Sequence, residues 1–329
     1  MRHLYNPDLS TIHPDEQWKG TPYLNNAFVN HEFPFTTNFG MVLKWQLGDK
    51  PRKEEKKSDT WRLTVRHNED FLNQQEDMIT WLGHSTFHIR LNGFTFITDP
   101  VFGNVSLVKR LAKLPLNPIK LKQLDFLLLS HDHRDHCDER SLKLLADHHP
   151  RMQILTGLKM RGLTSKWMKG QKIQEAGWYQ QYKTPQGIEV FYLPSRHWSR
   201  RGLIDLNQRL WGAFVIRGGG KTIYFMSDSG YGAHFKEAGE LFPNPDICIM
   251  GIGAYQPEWF MQAAHISPTD AVKAFNEMKG KTFIPMHYGT FDLSDEPIGD
   301  PLRMINELKV KGEIKGSLRT PDVGESVRF

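Results

Sequence analysis

From about residue 78 onward the chain repeats one grammar: a short apolar run that ends on a histidine, an aspartate or a glycine. Leu124 to Leu129 is such a run. It is too short for a helix and has no polar alternation, so it predicts a strand buried on both faces. It leads straight into Ser130-His131-Asp132-His133-Arg134-Asp135-His136. Ile188 to Leu193 precedes Ser195-Arg196-His197, Thr222 to Met226 precedes Ser227-Asp228, and Thr282 to Met286 precedes His287. Phe94 to Thr98 runs into Asp99-Pro100, and Asp246 to Met250 into the glycine turn Gly251-Ile252-Gly253. Strands alternating with helices predict an α/β (α+β) fold, and ligands in layered folds gather beyond the carboxyl ends of strands. The scattered polar residues are therefore expected on one rim.

Helical signals fill some of the gaps. Ser267 followed by Pro268 is a cap with proline at the first helical position, and Gly280 closes that segment. A second helix is expected from about Asp138, turning Leu142, Leu144 and Leu145 to the core and stopping before Pro150. Residues 1–60 show no sustained period and end in the mixed-charge run from Asp49 to Ser58. They are expected as an N-terminal arm and solvated linker, with one hydrolase domain over residues 61–329.

Composition narrows the class only a little. The chain has 329 residues, 39% apolar and 24% charged, ordinary values for a globular protein. No apolar run has the length of a membrane span, and the start Met1-Arg2-His3-Leu4 lacks a secretory pattern, so a cytoplasmic protein is expected. Only two cysteines occur, Cys137 and Cys248, which excludes a disulfide scaffold. The formal net charge of +5 leans weakly toward anionic partners. No arginine-rich tract interleaved with aromatics supports nucleic-acid binding.

The chemistry sits in the histidine-rich loop. Alternation sends His131 and His133 to one side, while Asp135 and His136, at a helix start, face a neighbouring position. Together with His197, Asp228 and His287 they offer only imidazole nitrogen and carboxylate oxygen. That set suits two Zn2+ ions, and Mn2+ or Fe accept the same ligand types. Cys137 reads as a small buried hydrophobe rather than a ligand. His3, His13, His31, His67, His148 and His149 have no ligand-like context.

The run His131-x-His133-x-Asp135-His136, with His197, Asp228 and His287 downstream, resembles the metal signature of the metallo-β-lactamase superfamily. The resemblance implies a four-layer αββα sandwich. It also implies one metal on His131, His133 and His197, a second on Asp135, His136 and His287, and Asp228 bridging. The segments Trp81-Leu82-Gly83-His84-Ser85-Thr86, Asp228-Ser229-Gly230-Tyr231, Gly251 to Met261 and His287-Tyr288-Gly289-Thr290-Phe291 look like the N-acylphosphatidylethanolamine-hydrolysing phospholipase D family. Arg134 departs from that pattern, standing where the animal enzymes usually have an aromatic.

What the likeness implies is a phosphodiesterase that cleaves N-acylphosphatidylethanolamine-like phospholipids into an N-acylethanolamine and phosphatidic acid. Two cations sharing a water lower its pKa from near 16 toward roughly 7 and supply a bridging hydroxide as nucleophile. Asp135 is expected to help orient that water, and His265 corresponds to a histidine that contacts the substrate phosphate. His84 and Asp99 are expected behind the ligands, orienting them. Residues 101–122 mix leucines and valines with Lys109, Arg110, Lys113, Lys120 and Lys122, the composition of a segment that contacts an anionic membrane surface. The rival within enzymes is a hydrolase of a soluble phosphodiester or phosphorylated lactone.

Overall fold

The computed structural model describes residues 1–30, 32–34 and 39–329; His31 lies outside the described residues. Two mixed sheets stack face to face. The first has seven strands in the order Ile173–Ala176, Gln153–Gly157, Phe126–Leu129, Phe94–Thr98, Thr86–Leu91, Met78–Gly83 and Ser326–Arg328. The second has eight: Ser317–Leu318, Thr282–Met286, Ile247–Gly251, Lys221–Phe225, Ala213–Gly218, Ile188–Leu193, Gln180–Gln181 and Ser10–Thr11. In each sheet one half is an antiparallel meander and the other is parallel.

The apolar runs explain the layering. In Phe126–Leu129, Phe126 and Leu128 face the second sheet and join the inter-sheet core, whereas Leu127 and Leu129 face outward under a helix. Ile79 and Trp81 divide from Met78 and Leu82 in the same way, and Phe96 from Ile97. A strand covered on both faces has no polar side to show, which is why its sequence does not alternate. Helix Glu139–His148 closes the outer face of the first sheet with Leu142 and Leu145. Helices His234–Leu241, Pro268–Glu277 and Asp300–Val310 cover the second sheet through Phe235, Phe275 and Ile305. The result is the αββα sandwich.

Both expected helix starts are capped as their residues require. Ser267 Oγ accepts from the Asp270 amide at 3.1 Å, and Asp138 accepts from the Ser141 amide at 2.9 Å. The first sixty residues are more ordered than an arm without period suggested. Arg2–Leu4, Thr21–Leu24 and Ala27–Phe28 form a small sheet, Ser10–Thr11 extends the large one, and Leu9, Tyr23 and Phe28 are buried in the main core. Strands of two to four residues are too short to display a period. The charged run forms helix Lys53–Ser58 and is fastened by ion pairs from Lys50 to Asp295 at 2.7 Å and Arg52 to Asp300 at 2.8 Å.

Candidate metal centre

Every expected ligand stands just beyond the carboxyl end of a strand, at the same edge of the sandwich. His131, His133, Asp135 and His136 follow Phe126–Leu129 in the first sheet. His197 follows Ile188–Leu193, Asp228 follows Lys221–Phe225 and His287 follows Thr282–Met286, all in the second. His84 and Asp99 follow Met78–Gly83 and Phe94–Thr98. Several chain ends turn sharply here: His84, Asp99, Ser227 and His287 have φ of 54°, 32°, 58° and 61°, a region that non-glycine residues seldom enter. Strain gathered at four strand ends around one point is what a functional rim shows.

The side chains fall into two groups. His131, His133, His197 and Asp228 bring their ligand atoms within 4.8 Å of one another, and so do His84, Asp135, His136 and His287. His131 Nε2 and His197 Nε2 lie 3.0 and 3.1 Å from His133 Nδ1, so three imidazoles converge. Asp228 stands between the groups, with Oδ2 3.1 Å from His136 Nε2 and 3.7 Å from His197 Nε2, and Oδ1 3.2 Å from His287 Nε2. His265 lies on the same carboxylate, its Nδ1 3.8 Å from Asp228 Oδ2. His84 is closer in than expected: its Nε2 meets Asp135 Oδ2 at 3.2 Å within the second group.

The outer nitrogens of the imidazoles are anchored. His131 Nδ1 pairs with Ser130 Oγ at 2.9 Å, His136 Nδ1 donates to Asp99 Oδ2 at 2.8 Å, and His197 Nδ1 donates to the Ala264 carbonyl at 2.9 Å. Each bond turns Nε2 into the cluster and leaves its lone pair there. Asp132 faces away, as alternation requires, and pairs with Arg209 at 2.6 Å. Gly253 supplies a different kind of support. A Cβ at that position would sit 2.1 Å from the His287 carbonyl oxygen, so only glycine lets the Gly251-Ile252-Gly253 turn pack against this ligand strand.

These residues fit divalent cations. Nε2 of His136 and His287 is buried and closes no well-aligned hydrogen bond, although Asp228 lies 3.1 and 3.2 Å away, an arrangement costly in an apolar interior unless another group lies between imidazole and carboxylate. Burial, with neighbouring imidazoles, pushes His131 well below the histidine range, and burial pushes His197 down too despite Asp228. Burial works against ionisation of Asp135 and Asp228, yet His136 and its neighbours hold both well below the usual carboxylate range. Against the same burial, Asp228 and Asp135 raise His136 far above its ordinary value and His287 to about 9. The field thus favours positive charge at this point, carried by protons or by metal, and a bound cation exchanges for those protons.

A mouth opens above the cluster between His133, Arg134, Trp198, Met261, His265 and Leu293. Trp198, Met261 and Leu293 carried no ligand signal in the sequence, because an apolar mouth residue reads like any core residue. Cys137 is fully buried, belongs to neither group, and its thiol is pushed up to about 12 by burial. His3, His13, His67, His148 and His149 also lie outside the candidate groups.

Residues 101–122 divide. Val101, Val105 and Leu116 pack inward, while Leu107 at 99% and Ile119 at 50% exposure face solvent. Arg110 also turns inward and donates to the carbonyls of Leu82 at 2.6 Å, Val101 at 2.6 Å and Ala112 at 2.7 Å. It is therefore a strut of the loop and not one of its surface cations.

A β-lactamase superfamily domain is recognised over residues 95–288. The chain is 32% identical to an N-acyl-phosphatidylethanolamine-hydrolyzing phospholipase D of Caenorhabditis elegans, over 94% of this chain and 88% of that one. It is 28% identical to a mitochondrial protein of the same name from Saccharomyces cerevisiae, over 76% of this chain but only 55% of the yeast protein. Among solved structures, a metallo hydrolase from Ignicoccus hospitalis superposes with a TM-score of 0.61 at 21% identity, covering 77% of this chain and 98% of the other. Family, fold and the histidine and aspartate groups agree: the chain belongs to the metallo-β-lactamase superfamily and is a metal-dependent hydrolase of that fold.

Proposed function

We propose that this protein is a phospholipase D-type phosphodiesterase that cleaves N-acylphosphatidylethanolamine-like phospholipids to an N-acylethanolamine and phosphatidic acid. The observation that carries the reading is the pair of ligand groups joined by Asp228 beneath an open mouth. In this assignment His131, His133 and His197 hold one cation, Asp135, His136 and His287 hold the other, and Asp228 is shared. Zinc suits the nitrogen and oxygen donors, and Mn2+ or Fe are the alternatives. When bound, such a pair activates water at neutral pH and neutralises charge on phosphoryl oxygens.

The protein's own groups do the rest. His265, beside Asp228 and lining the mouth, is placed to donate to a phosphoryl oxygen. His84 and Asp99 position Asp135 and His136 through bonds of 3.2 and 2.8 Å. Trp198, Met261 and Leu293 give the mouth apolar walls that exclude water from the alkyl part of a substrate. Similarity to the worm enzyme supports the substrate assignment.

A phospholipid substrate requires access to a bilayer surface, and among the described residues no helix is long and apolar enough to cross one. Two loops near the mouth end in aliphatic side chains that nothing covers: Leu107 at 99% exposure, and Leu203 and Ile204 at 88% and 91%. In this reading they enter the headgroup layer of the inner membrane face while nearby basic residues meet anionic lipid.

The test is incubation of the metal-loaded protein with a mixed membrane extract. Paired loss of an N-acyl phospholipid and gain of phosphatidic acid is expected, abolished by His131→Ala, Asp228→Asn or stringent chelation. Activity that survives all three, or turnover confined to soluble diesters, refutes the assignment. Sedimentation with anionic vesicles should weaken in a Leu107→Gln/Leu203→Gln/Ile204→Gln variant, and unchanged binding removes the membrane role.

A further inference from the structure

Beside the mouth lies a second cavity of about 560 Å³, and Arg134 lines both. In the chain Arg134 stands between His133 and Asp135, so its backbone is fixed by two candidate ligands while its side chain is exposed. The walls of this second cavity carry four cationic and two acidic side chains, and most of them are already engaged. Lys143 pairs with Glu139 at 2.6 Å, Asp138 accepts from the Ser141 amide and hydroxyl, and Arg201 donates to the carbonyls of Asp132 and Cys137. Among the described residues the side chains of Arg134 and Arg140 close no hydrogen bond or ion pair, although Arg134 is near enough to Glu139 to help Lys143 hold that carboxyl below its ordinary value. Two such guanidinium groups, one of them shared with the mouth, leave a local excess of positive charge. Guanidinium matches carboxylate and phosphate through paired N–H donors.

We infer that this cavity is a second-anion subsite: it receives a carboxylate or phosphate carried by the substrate a few bonds from the scissile phosphodiester, bound by Arg134 and Arg140. The inference rests on the phosphodiesterase reading above and widens its substrate class beyond N-acylphosphatidylethanolamine, whose only anion is the scissile phosphodiester, to diesters bearing a further negative group. Arg134 and Arg140 act here as specificity residues, since neither touches the reacting atoms.

Water-soluble matched pairs test it. Glycerophospho-N-acetylserine differs from glycerophospho-N-acetylethanolamine only by a carboxylate, and glycerophosphoglycerol phosphate differs from glycerophosphoglycerol only by a phosphate. Equilibrium titration of the full-length metal-loaded protein with all four compounds gives two affinity ratios, and kcat/KM for each gives two more. A charged hydrogen-bonded contact of this kind contributes on the order of two- to fivefold at an exposed site. The wild type should prefer at least one charged member by about that factor, and which pair shows it separates carboxylate from phosphate. Arg134→Gln and Arg140→Gln should each bring the ratio toward one, with partial recovery in Arg134→Lys.

Equal affinity for both members of both pairs in the wild type overturns the subsite. So does a ratio that persists in Arg134→Gln/Arg140→Gln, or a loss seen only with anionic vesicles, which would assign the arginines to the membrane. Binding preference without turnover of any diester would instead sink the phosphodiesterase reading and leave the subsite standing.

Discussion

Replacing Asp99 by asparagine separates a ligand-orienting role from mere packing. Asp99 is fully buried and accepts three hydrogen bonds: from the Ser130 amide at 2.8 Å, the Ser130 hydroxyl at 2.6 Å and His136 Nδ1 at 2.8 Å. Asparagine has nearly the same shape and tolerates the positive φ of 32° found here. Its carbonyl can keep the Ser130 amide, and the Ser130 hydroxyl can rotate to accept. The remaining N–H then faces His136 Nδ1, which can pair with it only as an acceptor. That moves the imidazole proton to Nε2, the atom 3.1 Å from Asp228 Oδ2 whose lone pair a metal needs.

Loss of such an orienting partner typically costs 10- to 100-fold in metal affinity, or about 1.4–2.8 kcal/mol. The local fold should lose less, because two of the three hydrogen bonds survive. The assay is zinc competition with a chromophoric chelator, alongside thermal unfolding of the metal-free protein. A zinc affinity within twofold of wild type, in a variant that folds normally, would refute the tautomer argument.

Three further outcomes are expected. Gly253→Ala places a Cβ 2.1 Å from the His287 backbone carbonyl, so the metal-loaded protein should lose most of its activity and part of its metal and unfold at a lower temperature, and full activity at the wild-type unfolding temperature would show that the turn yields. Arg110→Met strands three carbonyl acceptors beneath residues 101–112 and should lower stability by about 2–4 kcal/mol in chemical denaturation; a loss under about 0.5 kcal/mol would make Arg110 dispensable. Burial opposes the charge on Asp59, but Arg303 and the amides of Gly299 and Trp61 outweigh it and hold the carboxyl down at about 2. A folded pKa below the unfolded one contributes stability above about pH 4 that is lost as pH falls toward 2. The difference in unfolding temperature between wild type and Asp59→Asn should therefore shrink across that window, and a pH-independent difference would contradict the assignment.

The sequence by itself determined where the chemistry lies along the chain. The apolar stretch within Leu124 to Leu129 forms the strand Phe126–Leu129, covered on both faces, and ending it in three histidines and two aspartates left little else for that loop to be. The same holds for the strands before His197, Asp228 and His287, and for the capped helices at Asp138 and Ser267, because these signals are local: period, length and the chemistry of one turn. Residues 1–60 were illegible for the opposite reason, since strands of two to four residues reveal themselves only by what they pair with.

What only the tertiary structure decided is distance between residues remote in sequence. His84 and Asp135 are 51 positions apart and meet at 3.2 Å, which sets His84 directly against a candidate ligand. Arg110 looked like one more surface cation until its guanidinium found the Leu82 carbonyl, 28 positions away. Composition records a charge without its direction, and direction is set by packing. Arg134 shows both sides: its place beside the ligands was written in the sequence, but that it is shared between two cavities follows only from the fold.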